Sequence, residues 1–412
     1  MADTKVTIVG GGIHGTHLAI RLLNTGIDRD RLRILDPDGL LANLRRQCKQ
    51  CGMSELRSPL VHHIATDPFS LREFARQHGR TDELISSEIG GDRPTMSLFF
   101  DHAEWVSEKY ALESLIELTR ATAIVDNADH VEIETTSGRH TANWCLLAIG
   151  HRRLNRPAWA ERLGSNASLS HIWDRGFDPE DIGVTAAVGV VGGGITAAKC
   201  ATTLAQPGRE IRLFARSPFR VERREAGTDW MHFSRVVDRL HELPSASRER
   251  AKRVAEARHS GAMPPHIFRR LRRAIENCHI DLCRTEITTA SDAGGTVVVS
   301  CRDGTAHCVD RVVCATGFGS PYEGPLFEQL HTETALAAGY RNAPVLDDET
   351  LRWRREDGTL SRIAVSGAAA QQVLGPFSRN IIGARRAGDC VVGWLQRSER
   401  GASTKHVQTD QP

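Results

Sequence analysis

Two short glycine runs carry the most specific chemistry in the 412-residue chain. Gly10-Gly11-Gly12-Ile13-His14-Gly15 has the spacing G-x-G-x-x-G, and Gly192-Gly193-Gly194-Ile195-Thr196-Ala197 repeats it as G-x-G-x-x-A. Each stands between an apolar run of strand type and a segment of helical type. At such a turn the first position (Gly10, Gly192) makes the tight bend. The second (Gly12, Gly194) lets backbone N–H groups approach a pyrophosphate, and the third (Gly15, Ala197) lets the helix pack closely on the sheet. The positive end of the helix favours the phosphate charge. Asp36 ends the strand that follows the first turn, where a carboxylate accepts hydrogen bonds from an adenosine ribose. The corresponding strand after the second turn ends Leu213-Phe214-Ala215-Arg216-Ser217, with no acid. Arg216 and Ser217 suit a 2′-phosphate, which points to NADPH rather than NADH.

The elements that must hold these turns are readable from pattern. Residues 5–9, 31–35, 131–135 and 143–149 have strand character, with helices expected over 13–24, 68–78 and 101–120. The β-α-β pattern restarts with strands at 187–191 and 210–215 around a helix at 195–205. Residues 231–276 are charged and mostly helical, interrupted at Pro264-Pro265, and further strands are expected at 296–301, 310–314 and 362–366. A closing helix is expected over 377–396. The fold class is therefore α/β, with two Rossmann-like dinucleotide-binding domains and a helical insertion. The expected division is a first domain over 1–180 and 305–400, a second over 185–304 carrying the insert, and a polar, unstructured tail over 401–412.

Two nucleotide sites in one chain suggest hydride transfer from a nicotinamide to a flavin. Leu147-Ala148-Ile149-Gly150-His151 and Cys314-Ala315-Thr316-Gly317-Phe318 flank the second unit, and each is a strand end with a glycine turn. They resemble the paired hinge segments of flavoprotein reductases and monooxygenases. Further segments are similar to the flavin-dependent lysine and ornithine N-hydroxylase family. These are Gly52-Met53 running through Leu56-Arg57-Ser58-Pro59 to His62-His63, Leu98-Phe99-Phe100-Asp101-His102 with Trp105, Ser170-His171-Ile172-Trp173-Asp174, the insert from Trp230, and Gly375-Pro376 with Arg379-Asn380. The resemblance implies FAD at the first turn (Gly10, Gly12, Gly15, Asp36) and NADPH at the second (Gly192, Gly194, Ala197, Arg216, Ser217), with Thr316, Gly317 and Asn380 also at the cofactors. It places Met53, Arg57 and Phe100 in the flavin and substrate pocket. It further implies a monooxygenase that N-hydroxylates a small amine or amino acid with O2 through a C4a-hydroperoxyflavin. The family's Phe-x-x-Tyr-x-x-Trp helix has His102 at the Tyr position, and the family's Asn in the insert has no counterpart in Asp229-Trp230-Met231-His232-Phe233. The protein's part in such chemistry is positioning and water exclusion, and no acid–base triad is found.

Two other readings stay open on the residues alone. Cys48-Lys49-Gln50-Cys51 is a C-x-x-C after the first unit, and a neighbouring Lys49 would favour a thiolate. An NADPH-dependent disulfide reductase or oxidase using this pair is the alternative enzyme, although Val365-Ser366-Gly367-Ala368 lacks the acid such enzymes carry there. The non-enzymatic alternative is a nucleotide-binding redox sensor. His62, His63 and His102 either tune the flavin or pack as ordinary buried histidines, and His14 is expected to pack. A metal site is not expected, since the cysteine pair has no second pair at zinc spacing. Lys plus Arg number 53 against 51 Asp plus Glu, a formal charge of +2, too balanced to argue for nucleic acid or a membrane surface. Basic runs such as Arg269-Arg270-Leu271-Arg272-Arg273 read as solvated helix faces. With no apolar start and no membrane-length run, a cytoplasmic location is expected, and self-association into a homo-oligomer is left open.

Overall fold

A computed structural model describes residues 3–86, 91–164 and 168–407, with side chains described to Glu399's predecessor, Ser398. It contains two parallel sheets, each built around one glycine turn. In the first, the strand Thr4–Val9 lies between Leu32–Leu35 and Gly138–Leu147, all parallel. Ile116–Glu117 continues the sheet on one side and Leu360–Val365 on the other, again parallel. Arg352–Arg354 closes that edge antiparallel, and the hairpin Ala121–Asp126/Val131–Thr135 hangs from Gly138–Leu147. Val6 and Ile8 are fully buried, as expected for a central parallel strand covered on both faces. The helix Ile13–Leu23 covers it, with the long helix Ile381–Val407 packed beside.

The second sheet runs Asp281–Cys283, Glu210–Phe214, Ala187–Val191, Arg311–Cys314, Leu169–His171, every pairing parallel. A three-stranded antiparallel sheet (Ile287–Asp292, Val297–Cys301, Ala306–Val309) adjoins it. The insert after Phe214 holds short helical turns over 228–241 and the helices Arg248–Ala257 and Pro265–Glu276. It is pinned to the part of the molecule built on the first sheet. Buried Arg250 pairs bidentately with Asp348 at 2.6 and 2.7 Å, and Arg386 of the closing helix donates to the carbonyls of Trp230 and Met231 at 2.8 and 2.9 Å.

Four expectations shift. Leu169–His171 and Arg311–Cys314 both belong to the second sheet, so boundaries at 180 and 305 cut across it. Short strands at a domain crossing carry no pattern that says which sheet they join. The helix expected at 101–120 runs instead over Met96–Lys109. Ala111, at φ 43°, breaks it, and buried Leu115 leads into Ile116–Glu117, which pairs with Ile34 and Leu35 as an edge of the first sheet. The closing helix starts at Ile381 and continues to Val407, beyond its expected end, so only residues 408–412 of the expected tail lie outside the described residues. Arg352–Arg354 is a strand that no pattern announced.

Candidate active site

At the first turn each glycine has a measurable reason. Gly10 has φ +112°, and a Cβ there would lie 2.5 Å from the carbonyl oxygen of Ala148. A Cβ on Gly15 would lie 1.8 Å from the carbonyl oxygen of Gly10. Gly12 is different: nothing comes within 4 Å of its Cβ position. The turn is thus closed on the sheet side and open at the helix N-terminus, the shape of a phosphate cradle. Asp36 stands beside it, with Oδ2 accepting from Gly11 N at 2.8 Å and Oδ1 from Asp38 N at 2.9 Å. His14 does pack. Its Nδ1 shares a hydrogen with Ser366 Oγ at 2.7 Å, and burial lowers its pKa to about 3, so the ring is neutral.

The second turn repeats this plan. Gly192 has φ +148°, its Cβ position 2.6 Å from the carbonyl oxygen of Ala315 and 3.1 Å from the Ala197 methyl. A side chain larger than alanine at 197 would press on Gly192. Nothing lies within 4 Å of the Gly193 Cβ position, whereas Gly194 faces the Gly261 backbone of the insert at 3.4 Å. At the far end of Glu210–Phe214 a cleft is lined by Arg216, Ser217, Arg284, Thr285, Glu286, Arg302 and Asp303. Glu286 pairs with Arg302 at 2.7 Å and with exposed Arg216 at 3.5 Å, and Arg284 donates to Ser217 O at 2.9 Å. Arg284 and Arg302 had no signal in the sequence. They come from the end of the next strand and from a hairpin of the antiparallel sheet, and only the folded chain sets them beside Arg216.

The two flanking segments form the floors of the two turns. Ala148 N bonds to Val9 O and Ala315 N to Val191 O, both at 2.8 Å. They also pair with each other just beyond, through the bridge between Leu154 and Phe318. Asn155 N donates to Gly317 O at 3.0 Å, and the Thr316 hydroxyl donates to Asn155 O. His151 stacks on Phe318, ring centroids 5.1 Å apart, with Trp173 parallel to the same ring at 6.3 Å. Burial, with Arg379 and Arg258 nearby, lowers the His151 pKa to about 3.

A second cleft opens where the loop 57–62, the insert and the start of the closing helix meet. Its walls include Arg57, His62 and Arg93 from the first half, Arg223, Glu225 and Met231 from the insert, and Phe377 and Asn380. Arg57 and Asn380 thus both line this cleft. Asn380 Oδ1 accepts from Ile382 N at 3.0 Å, capping the closing helix. Met53 and Phe100 are not on these walls. Met53 packs between the cores of the two halves beside Cys48, and Phe100 is buried under the Arg45 guanidinium, 4.3 Å from its ring centre. His62 lines the cleft with its Nδ1 unbonded, and burial holds its pKa near 4. His63 and His102 lie in the interior, rings 4.8 Å apart, with His102 bonded to Ser70 Oγ at 2.9 Å.

Cys48 and Cys51 are buried at the junction of the two halves, and burial raises their thiol pKa values to about 12 and about 11. Lys49 turns away to Asp178, 2.8 Å distant, and does not activate them. The cation that does face the pair is the nearly buried Lys199 of the second glycine helix. A Cβ on the following Gly52 would fall 2.1 Å from the Thr203 hydroxyl of that helix, so the end of the helix Ala42–Gln50, which carries the C-x-x-C, is packed as a wedge between the halves. Among the described residues no group of three or more His, Cys, Asp or Glu is arranged to hold a metal.

A family model described as FAD-NAD(P)-binding matches residues 7–152. No curated protein matches the chain by sequence. Solved structures share the fold over nearly its whole length. The ornithine N-hydroxylase of Kutzneria sp. 744 is 18% identical with a TM-score of 0.77, over 97% of this chain and 100% of that one. The ornithine hydroxylase of Pseudomonas aeruginosa is 16% identical with a TM-score of 0.77, over 96% and 99%. The bacillithiol disulfide reductase of Bacillus cereus is 15% identical with a TM-score of 0.60, over 95% and 98%. The chain thus has the two-Rossmann fold of the flavin-dependent N-hydroxylases, and the disulfide reductase is a more distant likeness.

Proposed function

We propose that this protein is an FAD- and NADPH-dependent monooxygenase that N-hydroxylates a small amine or amino acid. The observation that carries this reading is the pair of glycine turns whose floors, Ala148 and Ala315, belong to segments bonded to each other at the crossing between the two sheets. Such a crossing suits two dinucleotides that exchange a hydride. The open space in front of Gly12 fits a bound pyrophosphate, with Gly10 and Gly15 shaping the turn and Asp36 at the ribose. Gly192, Gly194 and Ala197 would hold the second nucleotide, and Arg216 with Ser217 its 2′-phosphate. Thr316, Gly317 and Asn380 would border the reacting rings. Arg57 would hold the substrate, with Met53 and Phe100 supporting the pocket from behind.

Bound FAD and NADPH would supply electron storage, oxygen activation and the hydride. The chain's part is to orient an uncharged amine in the cleft of Arg57 and Asn380 and to keep water out. One oxygen atom of O2 goes to the amine nitrogen and the other leaves as water, at the cost of one NADPH. The test is turnover of the FAD-loaded protein with NADPH, oxygen and a panel of amines and amino acids, read by mass spectrometry for a gain of one oxygen. A hydroxylamine formed in step with NADPH consumption is expected. NADPH consumption that instead reduces added disulfides, and stops in a Cys48→Ser/Cys51→Ser variant, would overturn it.

A further inference from the structure

We infer, building on the proposed NADPH site, that the second glycine turn is gated: the turn 259–262 of the insert covers it, and a nicotinamide nucleotide must displace Gly261 before its pyrophosphate reaches the helix N-terminus. The two glycine turns supply the comparison. Their second glycines have similar extended backbones, φ −74° and ψ −170° at Gly12 against φ −101° and ψ −176° at Gly194, and each begins its helix without a side-chain cap. The missing side chain at this position is what lets a pyrophosphate come close. At Gly12 that space is empty to 4 Å. At Gly194 it is taken by the Gly261 backbone, whose Cα and carbonyl oxygen both lie 3.4 Å from the Cβ position. A phosphate has no room there. The Gly261 oxygen instead brings a partial negative charge to the start of the helix, as a phosphate oxygen does.

The covering turn is built both to hold this place and to give it up. Ala262 N donates to His259 O at 3.0 Å, and Gly261 between them has φ +70°, a conformation that favours glycine. The bonds from His259 N to Glu225 O at 2.7 Å and from Met263 N to Arg220 O at 2.9 Å fasten its two ends to the strip 220–226. Ser260 and Gly261 at the tip are exposed. Among the described residues no hydrogen bond ties Gly261 to the glycine turn, so only packing contact is lost when the tip moves away. The turn also joins two helices with different anchors. Arg248–Ala257 is held through Arg250 to Asp348, in the part built on the first sheet, whereas Pro265–Glu276 packs on Ile195–Leu204, the helix of the second glycine turn. A shift between the two parts of the molecule therefore moves Gly261 relative to Gly194.

Binding measurements on the FAD-loaded protein test the gate, with flavin content measured in every sample. Calorimetric titrations use NADP+ and 2′-AMP, which carries the adenosine and 2′-phosphate but no pyrophosphate and so does not meet the turn. In Gly261→Ala the new Cβ enters open space, since nothing lies within 4 Å of it, but the left-handed backbone is disfavoured. The closed turn loses weight, and NADP+ binding should tighten about fivefold or more, with 2′-AMP affinity unchanged. Gly261→Asn, which tolerates this backbone, should stay near wild type. In the wild-type protein, hydrogen exchange of the segment 259–262 should quicken with NADP+ bound, and stay as it was with 2′-AMP, because the nucleotide unpacks the tip. Unchanged or weaker NADP+ binding in Gly261→Ala, an equal gain for 2′-AMP, or slower or unchanged exchange with NADP+ would overturn the gate. A wild-type protein that takes up FAD yet binds neither NADP+ nor 2′-AMP would instead sink the two-nucleotide reading, and the gate with it.

Discussion

Exchanging single glycines of the first turn separates a role in folding from a role in holding nucleotide. In Gly15→Ala the added methyl would sit 1.8 Å from the Gly10 carbonyl oxygen, where ordinary contact begins near 3.4 Å. Helix and sheet must part by about 1.6 Å in a close-packed interior, at a cost of about 3 kcal/mol or more. In Gly12→Ala the methyl enters open space, and the residue's φ of −74° suits any side chain. The stability of the apoprotein should change by less than about 1 kcal/mol. FAD affinity should nonetheless fall, because the methyl stands where phosphate oxygens meet the turn. Loss of one charge-assisted hydrogen bond is worth about 1.5–3 kcal/mol, or about 10- to 100-fold in affinity. Thermal unfolding of the flavin-free variants, followed by fluorescence titration with FAD, reads both quantities. Wild-type FAD affinity in Gly12→Ala, or equal destabilisation by the two changes, would refute the assignment of the cradle.

Three other outcomes follow from the geometry. Arg216→Ala and Arg284→Ala should raise KM for NADPH about tenfold or more with little effect on NADH, and equal effects on both nucleotides would remove the 2′-phosphate from this cleft. His14, His17, His62, His63, His102, His151 and His171 have pKa values lowered to about 3 or 4, chiefly by burial. Their folded values lie below the unfolded value near 6.5, so the unfolded chain binds more protons at acid pH. Stability should be complete above about pH 6.5 and fall steeply from there toward pH 4, by up to about 1.4 kcal/mol per pH unit for each such histidine. A melting temperature unchanged between pH 7.5 and 5 would contradict this burial. Finally, replacing both Cys48 and Cys51 by serine should leave the rate of NADPH oxidation within a factor of two or so, measured at 340 nm in the usual way, whereas abolished oxidation would make the pair a redox centre.

The glycine turns were legible in sequence because their constraints are local. A tight bend, an open approach and a close helix each demand a small residue at a fixed spacing, and the same holds for the two crossover segments. Charge placement was far less legible. Arg57 and Asn380 were visible through their neighbours, but Arg93 and Arg223 lie in distant segments, and only tertiary packing sets them on the walls of one cleft. Met53 and Phe100 show the converse. Their apolar character suited a pocket wall, yet the chain uses both to fill its interior. Leu169–His171 was too short to declare its sheet, and Cys48 and Cys51 had the spacing of a redox pair without its exposed, electropositive setting.

Transfer of electrons between the two turns is tested most directly without oxygen. The FAD-loaded protein is mixed anaerobically with one equivalent of NADPH in a stopped-flow cell, and the visible flavin absorbance is followed. Complete bleaching, faster with NADPH than with NADH, is the expected result. A chain that takes up no FAD, or flavin that stays oxidised beside saturating NADPH, would contradict the pairing of these two sites.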